Sequence, residues 1–339
     1  MSNKLSATLG VGSMSSEIIE AVFRFSNYHR KQLMLISSKN QIDHNGGYVN
    51  NWTTMQYMEF INKLRTIYTN SDVKICRDHC GPGFNGLSDL NDTYKTIDCD
   101  IENGFDLMHI DFCHFDSVQG QKLEESKKAI EYCLKLKPDI HLEIGTDENT
   151  GTNYNLPNLS EIEEEVDFFK DFCNPHFYVA QTGSLITEIN QAGTFNGHFI
   201  KEIYKILKQK NIKLKEHNAD YLSEVEIGKR KGIVDALNIA PQLGVVQTQT
   251  VLAKCLVYGV DFTQFLEEVY KGRKWKKWLD KNTAENKFLC SIIAGHYHFA
   301  SDSYKHIIAQ LEQCEDIHGS LIDVAENLIN HYHESYDKF

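Results

Sequence analysis

Eight short apolar runs rich in β-branched residues recur along the chain, with helical patterns between them. The runs occupy 6–12, 33–38, 73–77, 106–112, 140–145, 177–181, 212–216 and 233–239. A single run of this length fits a strand or a buried helix segment equally well. Eight at a spacing of a few tens of residues read as strands. Residues 53–68 put Tyr57, Phe60, Ile61, Leu64, Ile67 and Tyr68 on one face, at the spacing of an amphipathic helix. Thr53 and Gln56 form a capping-box signature at its start. Residues 160–172 repeat the pattern behind Ser160 and Glu163. Segments 16–28, 89–102, 123–136, 197–209 and 221–231 also have helical periodicity, and an eighth helix is expected from Val245 to Tyr258.

Strands and helices alternating in this number predict an α/β fold, a parallel sheet closed into a (β/α)8 TIM barrel over 1–258. A doubly wound open sheet is the alternative, but no GxGxxG follows the first run. Residues 259–339 have no strand pattern. They are expected to form a helical C-terminal extension packed on the barrel.

The formal charge of −12 repels phosphate backbones, so nucleic acid and anionic membranes are not expected partners. A small anionic substrate remains compatible, because the local field of a cleft can oppose the net charge. No apolar run approaches the roughly 18 residues of a membrane span, and the first ten residues lack a signal-peptide pattern. Nine scattered cysteines, odd in number and without a CxxC pair, are expected to be reduced thiols in a cytoplasmic protein.

Active sites of such barrels lie at the C-terminal ends of the strands, so polar residues after each run have the functional prior. These are Asn40, Gln41 and Gly46-Gly47-Tyr48 after the second; Asp78-His79 and Gly81-Pro82-Gly83 after the third; His109 and Asp111 on the fourth; Glu143 and Asp147 on and after the fifth; Gln181 after the sixth; and His217-Asn218 after the seventh. His79 and His217 each follow a strand end. Two imidazoles and a carboxylate there would form an open zinc-type site, able to polarise a carbonyl and stabilise an enediolate. Glu143 or Asp147 is the preferred third ligand, although Glu143 could instead point into the barrel core, paired with a neighbour. Asp78 would move a proton on a substrate hydroxyl. Asn40, Gln41, Gln181 and Asn218 could hydrogen-bond the substrate, and Gly47 could bring a backbone N–H close to it. An isolated Gly-Gly is more often a plain turn. His296 and His298 would not share a helix face, so a packing or surface role is expected. The basic stretch 271–277 is a solvated face or a source of positive charge for a substrate phosphate.

The stretches NQIDHNGGY (40–48), DHCGP (78–82), HID (109–111), IGTDENTG (144–151), EHNADY (216–221) and WKKW (275–278) together resemble, in order, the tagatose-bisphosphate aldolase subunit Z family of class II aldolase-like barrels. The resemblance runs from about residue 8 to beyond 310. It implies a TIM barrel with a helical extension, a ketose phosphate or related sugar acid as ligand, Asp78 as acid/base, and His79 and His217 as ligands of a divalent metal, zinc in the first instance. The family's catalytic relatives have a histidine after strand six, where Gln181-Thr182-Gly183 stands here, so Gln181 or a carboxylate would replace it. Asp147-Glu148 stands where the family usually has Glu.

The expected activity is therefore metal-dependent cleavage or formation of a C–C bond in a ketose phosphate. Epimerisation at carbon 4 by the same route is the alternative within enzymes. A non-catalytic partner subunit of a separate aldolase chain is the alternative outside them, and a homo-oligomer is compatible with either. Lys215 lies before its strand end, which disfavours a Schiff base.

Overall fold

The computed structural model describes residues 4–115, 118–146 and 158–338. The strands, in chain order, are β1 (Leu9–Gly12), β2 (Gln32–Ser38), β3 (Asp72–Cys80), β4 (Leu107–Ile110), β5 (His141–Gly145), β6 (Phe177–Val179), β7 (Ile186–Thr187), β8 (Asn190–Gln191), β9 (Lys213–Glu216) and β10 (Ala236–Ile239). All but β7 and β8 form a closed barrel in the order β1-β10-β9-β6-β5-β4-β3-β2, and its pairs are parallel. The expected TIM barrel is thus observed. β7 and β8 form a small antiparallel hairpin in the loop after β6. At two residues each they are too short for any periodicity to reveal.

The helices are α1 (Ser16–His29), α2 (Thr54–Ile67), α3 (Leu90–Glu102), α4 (Gln119–Leu136), α5 (Leu159–Lys170), α6 (Gly197–Gln209), α7 (Glu224–Arg230), α8 (Pro241–Tyr258), α9 (Thr263–Gly272), α10 (Lys287–Ala294), α11 (Asp302–Leu311) and α12 (Ile317–Lys338). The Thr53–Gln56 capping box at α2 is complete in both directions, a contribution of about 1 kcal/mol. At α5 the box is Asn158 with Glu161, two residues before the expected Ser160. Helix α8 starts four residues earlier than periodicity suggests, at Pro241, where the missing N–H of proline costs nothing. Helix α7 is shorter than 221–231 because Tyr221 takes a left-handed φ of 61° and the capping residue is Ser223, which starts the helix at Glu224.

Most buried apolar side chains lie between the sheet and its helices, among them Val11, Ile75, Ile110, Ile144 and Ile239. A second cluster, including Met34, Ile36, Cys76, Leu107, Phe177 and Ala236, draws on five strands of the ring and so fills the barrel interior. Helices α9–α11 build their own core with α8 around Phe265, Trp275, Phe299 and Tyr304. Helix α12 returns to the barrel, with Ile322, Ala325, Ile329 and Tyr332 in the main core. All nine cysteines are free. No helix among the described residues is long and apolar enough to cross a membrane.

Candidate active site

Three imidazoles meet at the C-terminal mouth of the barrel, from β3, β4 and the end of β9. His79 Nε2 lies 3.3 Å from His217 Nδ1. Asp78 Oδ1 lies 3.9 Å from His79 Nε2, 3.8 Å from His109 Nδ1 and 3.8 Å from His217 Nδ1. One donor atom from each of Asp78, His79, His109 and His217 falls within 4.8 Å of the others. Two positions at this mouth carry backbone strain. His79 has φ 49° beside a register shift between Arg77 and Cys80, and Asn218 has φ 52°. Such conformations persist only where the surroundings over-determine them.

The far nitrogen of each ring is anchored. His79 Nδ1 bonds Asp111 Oδ2 at 2.8 Å, His217 Nε2 bonds Glu143 Oε1 at 2.9 Å, and His109 Nε2 bonds the Gly145 carbonyl at 2.8 Å. These partners only accept, so each far nitrogen donates its N–H, and in a neutral ring the near nitrogen keeps its lone pair. The His109 lone pair also receives the His79 backbone N–H at 3.3 Å. Inward lone pairs with outward N–H groups held by carboxylates and carbonyls are the arrangement found around bound metals. Asp78 Oδ1 is buried without a hydrogen-bond partner. The donor set therefore fits a divalent cation.

Charge at the mouth is balanced by these contacts. Burial alone would lower His79, but Asp78 and Asp111 beside it raise it to about 9. At His217 burial wins, and the imidazole is lowered despite Asp78 and Glu143. The pair thus accommodates one positive charge. Burial would raise Asp78, but His79 and His217 hold it well below the usual carboxylate range, so it is ionised.

Glu143, expected as a third ligand, has a different environment. Its Oε2 accepts from Lys215 Nζ at 2.6 Å while Oε1 takes His217. Both oxygens are engaged, and its geometry is that of a group orienting His217. Asp147 lies outside the described residues. Gln181 is half-buried beyond β6 and does not line the cavity at the mouth. A third imidazole stands in the cluster, that of His109, which the sequence places on its strand without marking it as a ligand. Within the apolar run 106–112, His109 and Asp111 stand two residues apart, the spacing of one strand face, which is the available signal, although β4 itself ends at Ile110.

The cluster opens into a cavity of about 880 Å³ lined by Asn40, Gln41, Asp78, His79 and Asn218. Asn40 Nδ2 donates to the Phe84 carbonyl, and Gln41 Oε1 accepts from the Ser38 backbone at 2.8 Å. Gly47 does not line the cavity. A Cβ there would sit 2.1 Å from the Gln41 carbonyl oxygen, so this glycine lets the chain pass close behind Gln41. Gly81 serves similarly behind Asp111, whose carbonyl oxygen would lie 1.7 Å from an added Cβ.

Two buried ionic groups set the loop that carries Asn40 and Gln41. Arg77 forks onto Asp100 at 2.6 and 2.7 Å and donates to the Ser37 and Ile42 carbonyls at 3.0 and 2.6 Å. Asp43, His44 and Asp92 also lie close enough together for a cation. Lys39 Nζ already stands 2.6 Å from Asp92, and Asn85 and Thr96 donate to the carboxylates, so this group is satisfied internally.

No protein-family model and no curated protein matches the sequence. Solved structures share its fold. A probable tagatose 6 phosphate kinase from Sinorhizobium meliloti 1021 superposes with a TM-score of 0.81 at 12% identity, covering 97% of this chain and 100% of its own. The fructose-bisphosphate aldolase of Campylobacter jejuni gives 0.60 at 13%, covering 96% and 90%. The YdjI aldolase of Escherichia coli K12 gives 0.55 at 12%, covering 91% and 90%. At these identities the likeness establishes the shared barrel.

Proposed function

We propose that the barrel mouth is a divalent-metal-dependent aldolase centre that makes or breaks a C–C bond in a phosphorylated ketose or related sugar acid. The observation that carries this is the convergence of three anchored imidazoles on a buried, partnerless Asp78 oxygen. The likeness of the fold to two barrels described as aldolases supports it. His79 and His217 would hold the cation, and His109 would join them in place of its bond to the His79 backbone N–H, with zinc the first candidate for an imidazole-rich set. When bound, it would polarise a ketose carbonyl and oppose the charge of the enediolate left by cleavage.

The chain's own groups supply the rest. Asp78, ionised and lining the cavity, takes the proton from the substrate hydroxyl β to the carbonyl as the C–C bond breaks, and returns it in condensation. Asn40, Gln41 and Asn218 line the path of the substrate hydroxyls and orient them. Glu143 and Asp111 hold the His217 and His79 rings. Lys215 is spent on Glu143, so a Schiff base is not formed there.

The deciding experiment measures bound zinc and manganese in the purified chain. It then tracks triose phosphate release from a panel of ketose phosphates. Metal with triose release establishes the aldolase. Conversion to the carbon-4 epimer without release converts the assignment to an epimerase. No metal and no turnover until an aldolase chain is added would overturn it in favour of a partner subunit.

A further inference from the structure

Strand ends build one wall of the cavity, and the segments after α9 and α10 build another. Lys277, Trp278, His296 and Tyr297 line the same space as Asp78 and His79. Trp278 is 8% exposed and His296 1%, yet Trp278 Nε1 and His296 Nδ1 have no hydrogen-bond partner. An indole N–H can only donate, so it calls for an acceptor. The Tyr297 hydroxyl feels this N–H but lies outside hydrogen-bonding geometry. Lys277 Nζ stands 4.8 Å from the centre of the Trp278 ring. Burial, with His298 and Lys277 nearby, keeps His296 neutral. Asp280 on the same rim turns Oδ1 onto the Asn282 N–H at 2.8 Å.

A donor-only indole N–H and a cation together suit a ligand that presents negatively charged oxygen, and neutral His296 joins them in its Nδ1–H tautomer. We propose that Trp278, His296 and Lys277 form a distal subsite for the terminal oxyanion, phosphate or carboxylate, of an open-chain sugar whose reacting carbons lie at the imidazole cluster. The two halves of the site are fixed to each other. The Glu188 N–H donates to the Trp278 carbonyl, and Gln191 Nε2 on β8 donates to the Asn218 and Asp220 carbonyls at 2.9 and 3.0 Å.

The role of this subsite rests on the aldolase reading, but its test needs neither metal nor turnover. The ¹⁵N-labelled full chain has three indole N–H signals, from Trp52, Trp275 and Trp278. Trp278 is assigned by Trp278→Phe, or by elimination from Trp52→Phe and Trp275→Phe. Inorganic phosphate and, separately, acetate are titrated in. The expected result is a saturable shift of the Trp278 signal that needs about tenfold more anion in Lys277→Gln, a change at an exposed position. A response to phosphate alone identifies a sugar phosphate, and a response to acetate alone a sugar acid. An unmoved Trp278 signal with both anions, or equal titration of Lys277→Gln, overturns the subsite. Failure to bind metal would overturn only the aldolase reading.

Discussion

His79 Nε2 and His217 Nδ1 face each other at 3.3 Å, although 138 residues separate them in the chain. Each ring is pinned from behind, by Asp111 and by Glu143. Two lone pairs held this close repel unless a proton or a cation lies between them. Their anchors make the arrangement a built feature of the barrel mouth.

Removing one ring should remove the cation. His217→Ala is expected to lose bound metal, measured by elemental analysis after dialysis. Asp78→Ala should retain the metal and lose turnover by about 10²–10⁴-fold, the usual worth of a positioned acid/base. An Asp78→Ala protein of unchanged rate would refute the proton-transfer role.

The anchors should matter almost as much as the rings. Asp111 is buried, receives the Cys113 N–H and Thr146 Oγ1 as well as His79, and is held well below the ordinary carboxylate range. Asp111→Asn keeps the shape but weakens the hold on His79 Nδ1–H. Metal affinity, read by competition with a chromogenic chelator, should fall about 10–100-fold with little change in melting temperature. An unchanged affinity would mean that His79 is oriented by other contacts.

Much of this arrangement is legible in the amino-acid sequence. Runs such as 33–38 and 73–77 announce strands, and Asp78, His79 and His217 stand where a barrel places its chemistry. The pairing of Glu143 with Lys215 is not legible. It depends on barrel register, which puts Glu143 beside Phe177 and Lys215 beside Val179 and Ala236. His109 is obscured because its strand is only four residues long and wholly buried, leaving no polar alternation to show which face looks inward. Trp278 and His296 reach the cavity through the docking of the extension, a tertiary event with no local signature.

Arg77 tests what holds the loop that carries Asn40 and Gln41. Its fork onto Asp100 is fully buried on both sides. Burial acts against the charged Asp100, raising it even with Arg77 alongside. Replacing one partner leaves the other uncompensated. Arg77→Met should therefore lose about 3–5 kcal/mol in denaturant unfolding, and Arg77→Met with Asp100→Leu should recover much of it. Equal losses in the single and double variants would show that the loop contacts to Ser37 and Ile42 dominate instead.

The attachment of α12 should depend on pH through His318. Its Nδ1 lies 2.8 Å from Glu17 on α1, and its Nε2 lies 2.8 Å from Glu312 after α11. The Glu17 contact, aided by Glu312 and opposed by burial, raises the imidazole to about 9, above the ordinary value of about 6.5. A group raised on folding binds its proton more tightly in the native state. The stabilisation is therefore complete below about pH 6.5 and is lost as pH rises through about 9. The imidazole is half exposed, so screening limits the effect to about 1–2 °C in melting temperature. Melting curves of the parent and His318→Gln should differ by that amount near pH 6 and coincide above about pH 9.5. A difference that persists unchanged across this range would show that His318 holds α12 by packing and not by its charge.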